Sequence, residues 1–288
     1  MATAAQGSVK TPLIGISGYN YPRWRGLFYP PELPARRWLE YASRQFNSIE
    51  LNGTFYSLKS PAVFRRWARE TPDDFVFAVK GSRFITHILK LTRARIPLGN
   101  FFGSGVLALG RKTGPFLWQF PATLRFNAER FEEFLELLPR HSQDAERLAR
   151  RHDKRLKRGA MLTAKEPVTY RHAFEVRHPS FFTTEFYELL SKFGAALVIA
   201  DTAGKFPSVE EHTADFVYVR LHGSTRLYAS NYSDHELEEW AQRVHDWRRS
   251  GRDVYVYFDN DALGHAPHNA RALAARVGIK PAEVGITA

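Results

Sequence analysis

The chain has 288 residues, no cysteine and a formal net charge of +11. Without cysteine it has no disulfide, thiolate nucleophile, zinc–thiolate site or cysteine-held iron–sulfur cluster. With 44% hydrophobic and 25% charged residues, the composition is that of a globular protein rather than a disordered chain. No apolar run approaches the ~18 residues of a membrane span, and the polar start lacks a signal-peptide core. A cytoplasmic protein that makes no membrane contact is therefore expected.

Short β-rich runs alternate with helical patterns along the chain. Residues 13–17 predict the first strand and 36–46 a helix. Residues 48–52 predict the second strand, and its helix opens at Ser60-Pro61, a cap followed by proline. The third strand is expected over 75–80, with a helix near 101–109, and the fourth over 115–120, with a helix over 128–138. Residues 172–177 predict the fifth strand and 184–193 its helix; 196–201 predict the sixth, followed by only a short helix. The seventh strand, 216–222, leads to a helix that opens with the capping box Ser233-Asp234-His235-Glu236. The eighth, 253–258, leads to a helix over 262–276.

Eight strand–helix pairs predict an α/β protein, a single TIM-type (β/α)8 barrel. A doubly wound sheet is the competitor, but neither GxGxxG nor a Walker loop occurs. The expected organisation is a flexible tail over 1–12, a barrel over 13–278 with a basic insertion at 144–170, and a C-terminal tail over 279–288.

Side chains alternate across a strand, so one parity faces the barrel lumen. That parity predicts an inward ring of Glu50, Asn52, Lys80, Gln119, Glu175, Arg177, Asp201, Arg220, His222 and Tyr257, with Asp259 just beyond. Nearly all fall at C-terminal strand ends, where barrel enzymes keep their chemistry. One reading is a catalytic mouth; the other is a salt-bridge network that closes the barrel.

Two loops, 222–226 and 260–265, carry the Gly, Ser and Asn of an anion site, and equally of ordinary turns. Glu50, Glu175, Asp201, His222 and His178 are metal-ligand types, but Lys80, Arg177 and Arg220 compete for the carboxylates. No metal and no cofactor are expected. The aromatics of 19–29, with Phe55 and Tyr56, suit either stacking on a base or sugar or a plug over the mouth. Residues 147–158 hold seven Lys/Arg against Asp153, more than half of the net charge. They read as a nucleic-acid arm or as a solvated surface with little to bury.

These motifs resemble the YecE-like family, also called domain of unknown function 72. The resemblance rests on Trp24-Arg25-Gly26, Phe28-Tyr29-Pro30, Glu50-Leu51-Asn52, Thr54-Phe55-Tyr56, Ala78-Val79-Lys80 and Gln119-Phe120-Pro121. It continues through Glu175-Val176-Arg177-His178-Pro179, Tyr218-Val219-Arg220-Leu221-His222-Gly223, Tyr257-Phe258-Asp259-Asn260 and His265-Ala266. It implies a TIM-type barrel and supplies no activity.

The expected function is an enzyme acting on a phosphorylated or otherwise anionic substrate by general acid/base chemistry. Glu50, Glu175 and His222 are the expected catalytic groups. Asn52, Tyr56, Lys80, Gln119, Arg177, Asp201, Arg220, Tyr257 and Asn260 are the expected substrate ligands. The alternative is a non-catalytic nucleic-acid-binding barrel that uses 147–158 and the aromatic mouth.

Overall fold

The structure is a computed structural model that describes residues 10–156 and 159–280. Eight parallel strands close into one barrel in chain order, each paired with its sequence neighbours and the last with the first. They are β1 (Leu13–Ser17), β2 (Ser48–Leu51), β3 (Val76–Lys80), β4 (Thr113–Gln119), β5 (His172–Glu175), β6 (Ala196–Asp201), β7 (Phe216–Leu221) and β8 (Asp253–Phe258).

The helices are α1 (Trp38–Gln45), α2 (Gly53–Tyr56), α3 (Pro61–Arg69), α4 (Arg95–Gly103), α5 (Ala128–Leu137), α6 (Ser142–Ala149), α7 (Thr184–Lys192), α8 (Asp234–Arg249) and α9 (His265–Arg276). Pro61 opens α3 after Ser60, and the Ser233–Glu236 capping box opens α8. Asn127 and Thr183 cap α5 and α7 through their side chains.

Three expectations shift. The helix predicted near 101–109 divides into α4 and a separate 3-10 turn, Val106–Lys112, because the chain bends between them at Gly105, whose φ is +128°. Among the described residues no helix lies between β6 and β7. Residues 10–12 are tied to the barrel: Lys10 pairs with Asp253 at 2.9 Å, and the Asn47 Nδ2 donates to the Pro12 carbonyl. Residues 1–9 and 281–288, the remainder of the expected tails, lie outside the described residues.

Two apolar layers follow from the alternation. Phe77, Val79, Phe116, Trp118, Val217 and Val219 face outward and pack beneath the helices. Ala78, Leu117, Ala173, Phe216, Tyr218 and Tyr255 face inward and fill the lumen. Gly15 allows β1 to approach β2 closely, since a Cβ there would lie 1.8 Å from the Ser48 carbonyl oxygen. The lumen is thus plugged by side chains, with a polar network above the plug at the C-terminal strand ends and an ion cluster of Arg171, Asp215 and Asp253 at the N-terminal ends.

The basic segment is part of this architecture. Leu148 and Ala149 are buried where α6 packs on α4. Asn100 and Asp153 exchange hydrogen bonds, Nδ2 to Oδ1 and backbone N–H to Oδ1, both at 3.0 Å. The expectation of a segment with little to bury is corrected: its polar residues are solvated, but its helical end is core. Lys157 and Arg158 lie outside the described residues.

Candidate functional site

Arg220, near the end of β7, is the centre of the site, and its side chain has no exposure. Its Nε donates to Glu50 Oε2 at 3.1 Å and its Nη2 to Glu50 Oε1 at 2.8 Å. Nη1 donates to Glu175 Oε2 at 2.5 Å and to His222 Nε2 at 3.3 Å. Nη2 also reaches Asp259 Oδ2 at 2.9 Å and Ser17 Oγ at 3.0 Å. One guanidinium therefore bridges β1, β2, β5 and the chain just past β8. A planar fork with five donors suits this position, whereas a lysine has only a point charge to offer.

The partners are held in turn. Ser17 Oγ donates to Glu50, and Asn52 Nδ2 donates to Ser17 Oγ at 2.8 Å. Tyr218 Oη donates to Glu50 Oε2 at 2.6 Å. Gln119 Nε2 donates to Glu175 Oε1 at 2.8 Å, and Arg177 reaches the same oxygen through Nε at 3.0 Å and Nη2 at 2.8 Å. His222 Nε2 accepts from Arg220, which puts its proton on Nδ1, 3.0 Å from Asp259 Oδ2. Burial alone pushes the Glu175 carboxyl upward, but Arg220 and Arg177 outweigh it and hold the group well below the usual range. Asp259 is likewise held low against burial, chiefly by Arg220 and His222.

Further groups surround this network. Lys80 ends β3 with 7% exposure, and its Nζ sits 4.7 Å above the Phe55 ring. Burial and the like charge of Arg220 lower Lys80 to about 8. Arg177 Nη2 donates to Tyr228 Oη at 3.1 Å while its guanidinium lies over Phe206. Tyr228 adopts a φ of +62° and sets its ring edge-on to His222. Such backbone strain in a non-glycine residue concentrates at functional sites. His87 sits in a π-helical turn, Phe84–Ile88, edge-on to Phe55; burial and the nearby Lys80 lower it to about 4.

The structure thus brings together Glu50, Asn52, Lys80, Gln119, Glu175, Arg177, Arg220 and His222. It separates four other expected residues. Asp201 lies on the outward parity of β6, paired with Leu221, and its Oδ2 accepts from Tyr232 at 2.8 Å. Ala196, Val198 and Ala200 take the inward positions, a set of apolar residues that no polar pattern marks. Tyr257 faces inward but one layer too deep, fully buried and bonded to Ser48 Oγ at 2.6 Å. Asn260 is buried and its Nδ2 bonds Ser230 and Asn269, which ties two loops together. Tyr56 stands at the rim, 71% exposed, with its ring edge-on to Phe55.

Both expected anion loops spend several of their amide donors internally. Gly223 N–H donates to Tyr232 Oη, and the Thr225 and Arg226 amides donate to Ser230 Oγ. The Ala262 and Gly264 amides donate to the Tyr228 and Asp261 carbonyls. The aromatics of the first loop form a packed wall: Trp24, Phe28 and Tyr29 are buried, and Tyr29 stacks on Trp38 at 4.7 Å. His178 caps the turn Pro179–Phe181 by accepting from the Ser180 amide. Among the described residues no group of three or more His, Asp or Glu side chains is arranged to hold a metal ion.

The sequence model of the family described as "Protein of unknown function DUF72" matches residues 13–288. The chain belongs to the DUF72 family. It is 25% identical to the UPF0759 protein YecE of Escherichia coli K12, over 90% of each chain. It is 23% identical to the UPF0759 protein YunF of Bacillus subtilis, over 90% of this chain and 92% of that one. Among solved structures, a DUF72 protein from Thermotoga maritima superposes with a TM-score of 0.73 at 27% identity, covering 92% of this chain and 98% of that one. One from Enterococcus faecalis gives 0.70 at 16% identity, covering 93% and 96%. These matches establish family and barrel.

In this DUF72 barrel several residues that build the site carry no mark in the inward ring expected from strand alternation. Ser17 shares the strand-end parity that singled out Glu50, so the signal for it was present, and Asp259, expected just beyond the ring, joins the network through Arg220. Tyr228 and His87 sit in loops, and no periodicity places a loop side chain.

Proposed function

We propose that this protein is an enzyme acting on a small anionic, for instance phosphorylated, molecule at the C-terminal end of its barrel. The observation that carries the reading is the division of its cations. Arg220 is fully buried and spent on three carboxylates, whereas Arg177 is tied to one, Glu175, and keeps 14% side-chain exposure, and Lys80 lies over Phe55 with 7%. Arg177 is the anion ligand, with Tyr228 beside it. Glu50 and Glu175 are saturated acceptors and hold Arg220 and Arg177 in place rather than moving protons. Proton transfer falls to Lys80, whose value near 8 lies close to neutral pH, with the His222–Asp259 pair behind it. The test is native mass spectrometry of gently purified protein. A retained anionic metabolite that is lost on Arg177→Gln supports the reading, and retention unchanged by that substitution refutes it.

A second reading, nucleic-acid binding, is favoured by one contact. Arg155 of the basic segment lies 5.0 Å above the Phe84 ring, in the same turn that carries His87 at the rim. Binding of DNA or RNA whose salt slope flattens when Arg147, Arg150, Arg151 and Arg155 become Gln supports this reading; each lost phosphate contact removes about 0.9 from the slope.

A further inference from the structure

We infer that Lys80 is a nucleophilic amine that forms an imine with an aldehyde or ketone bound in the barrel mouth. The anionic character of that carbonyl compound rests on the reading above; the amine chemistry does not. The inference starts from a contrast. Arg177 and Arg220 are tied to carboxylates, yet among the described residues no hydrogen bond or ion pair reaches Lys80 Nζ. The side chain still cannot leave for solvent, because it is buried at the end of β3 with its amine over Phe55. Thr54, which precedes Phe55, bonds the Lys80 carbonyl through Oγ1 at 2.7 Å and keeps the two elements together.

The charges that face Lys80 come from several elements. Arg220 disfavours its ammonium form, while Glu50, Asp259 and Glu175 favour it; His87, lowered to about 4, faces it as a neutral ring. Burial is the largest influence, and the balance lies at about 8. A lysine that is neutral near physiological pH, desolvated and beside another cation is an activated nucleophile. Arginine cannot replace it, since guanidinium stays protonated and forms no comparable imine.

The chemistry balances within the site. The neutral Nζ lone pair attacks the carbonyl carbon, a C–N bond forms and the carbonyl oxygen takes the displaced electron pair. A proton passes from nitrogen to that oxygen to give a carbinolamine. The hydroxyl then leaves as water with one further proton, while nitrogen gives its lone pair to form the protonated imine. Amine, carbonyl compound and one proton thus yield iminium and water, with no oxidant or reductant. Arg177, 3.1 Å from Tyr228 Oη, is placed to hold a carboxylate or phosphate of the same molecule.

The experiment treats the full-length protein with glyoxylate or with neutral propionaldehyde, each with cyanoborohydride, which reduces an imine to a stable secondary amine. Adducts are located by peptide mass mapping. At pH 7.5 an amine of pKa about 8 has an unprotonated fraction on the order of a hundredfold above that of ordinary lysines near 10.4. Early labelling concentrated on Lys80, with a rate rising through pH 8, is the expected result. It is lost in both Lys80→Met and Lys80→Arg, whose folding is checked by their thermal transitions. Labelling spread evenly over surface lysines and unchanged in these variants overturns the inference. Arg177→Gln should slow glyoxylate several-fold more than propionaldehyde. If phosphate stabilises the protein but Lys80 is not labelled, the imine fails and the anion site stands. If propionaldehyde labels Lys80 while no anion binds, the amine chemistry stands and the anion reading fails.

Discussion

Arg220 and Glu50 meet side by side beneath the barrel opening, joined by two hydrogen bonds of 3.1 and 2.8 Å, with neither side chain exposed. Pairs of this kind are costly to desolvate but far more costly to leave half-made. Glu50→Gln keeps the shape and removes the charge, so Arg220 retains Glu175 and Asp259. Arg220→Met instead strands three carboxylates at once. Chemical denaturation should show a loss of about 3–5 kcal/mol for Arg220→Met and clearly less for Glu50→Gln. A loss under about 1 kcal/mol for Arg220→Met would show that the network contributes little to the fold.

Acid stability should follow Glu175. Its carboxyl is held low in the folded state by Arg220 and Arg177 despite burial. A depressed carboxylate adds stability that is present above the unfolded value, near 4.3, and is lost as pH falls through the folded value. The wild type should therefore lose stability steeply below about pH 4, and Glu175→Gln should start lower and fall less steeply. Parallel acid limbs for the two proteins would contradict this.

Lys80 gives the opposite limb. Its folded value of about 8 lies below the unfolded value near 10.4, so between them the unfolded state binds more protons. Stability then rises with pH across that window. Measured against Lys80→Met, the wild type should gain from pH 8 to pH 10. A flat difference would place Lys80 in water rather than in the site.

The architecture was legible in the chain, while the position of its chemistry was legible only in part. Strand runs such as 216–222 put apolar residues on one parity and Tyr218, Arg220 and His222 on the other, so facing followed directly. In β6 both parities are apolar up to Asp201, and a single terminal carboxylate could not say which way it pointed; it points outward and binds Tyr232. Depth was the second gap. Tyr257 shares the inward parity of Asp259, but its register with Gly15, which pairs in turn with Ser48, sets it in the plug, whereas Asp259 reaches Arg220 in the mouth. Loop residues such as Tyr228 carry no period at all.

The basic segment separates charge from packing. Removing 147–158 entirely takes away Leu148 and Ala149, which pack against α4, and the Asn100–Asp153 exchange. Leu148→Ala should cost roughly 2–3 kcal/mol, toward the lower end for a buried leucine. Arg147→Gln and Arg150→Gln should each stay within ±0.5 kcal/mol, as exposed substitutions do. Equal costs at all three positions, read from thermal or denaturant transitions, would contradict this division.

The proposal that the barrel mouth is an anion site is tested most directly by phosphate-dependent stability of the metal-free protein. Bound ligand stabilises by RT ln(1 + [L]/Kd), so phosphate at about 100 times its Kd adds about 2.7 kcal/mol. The account predicts that this gain appears in the wild type, nearly vanishes in Arg177→Gln and persists when Arg147, Arg150 and Arg151 are changed to Gln. No gain, or a gain untouched by Arg177→Gln and abolished by the surface substitutions, would contradict it.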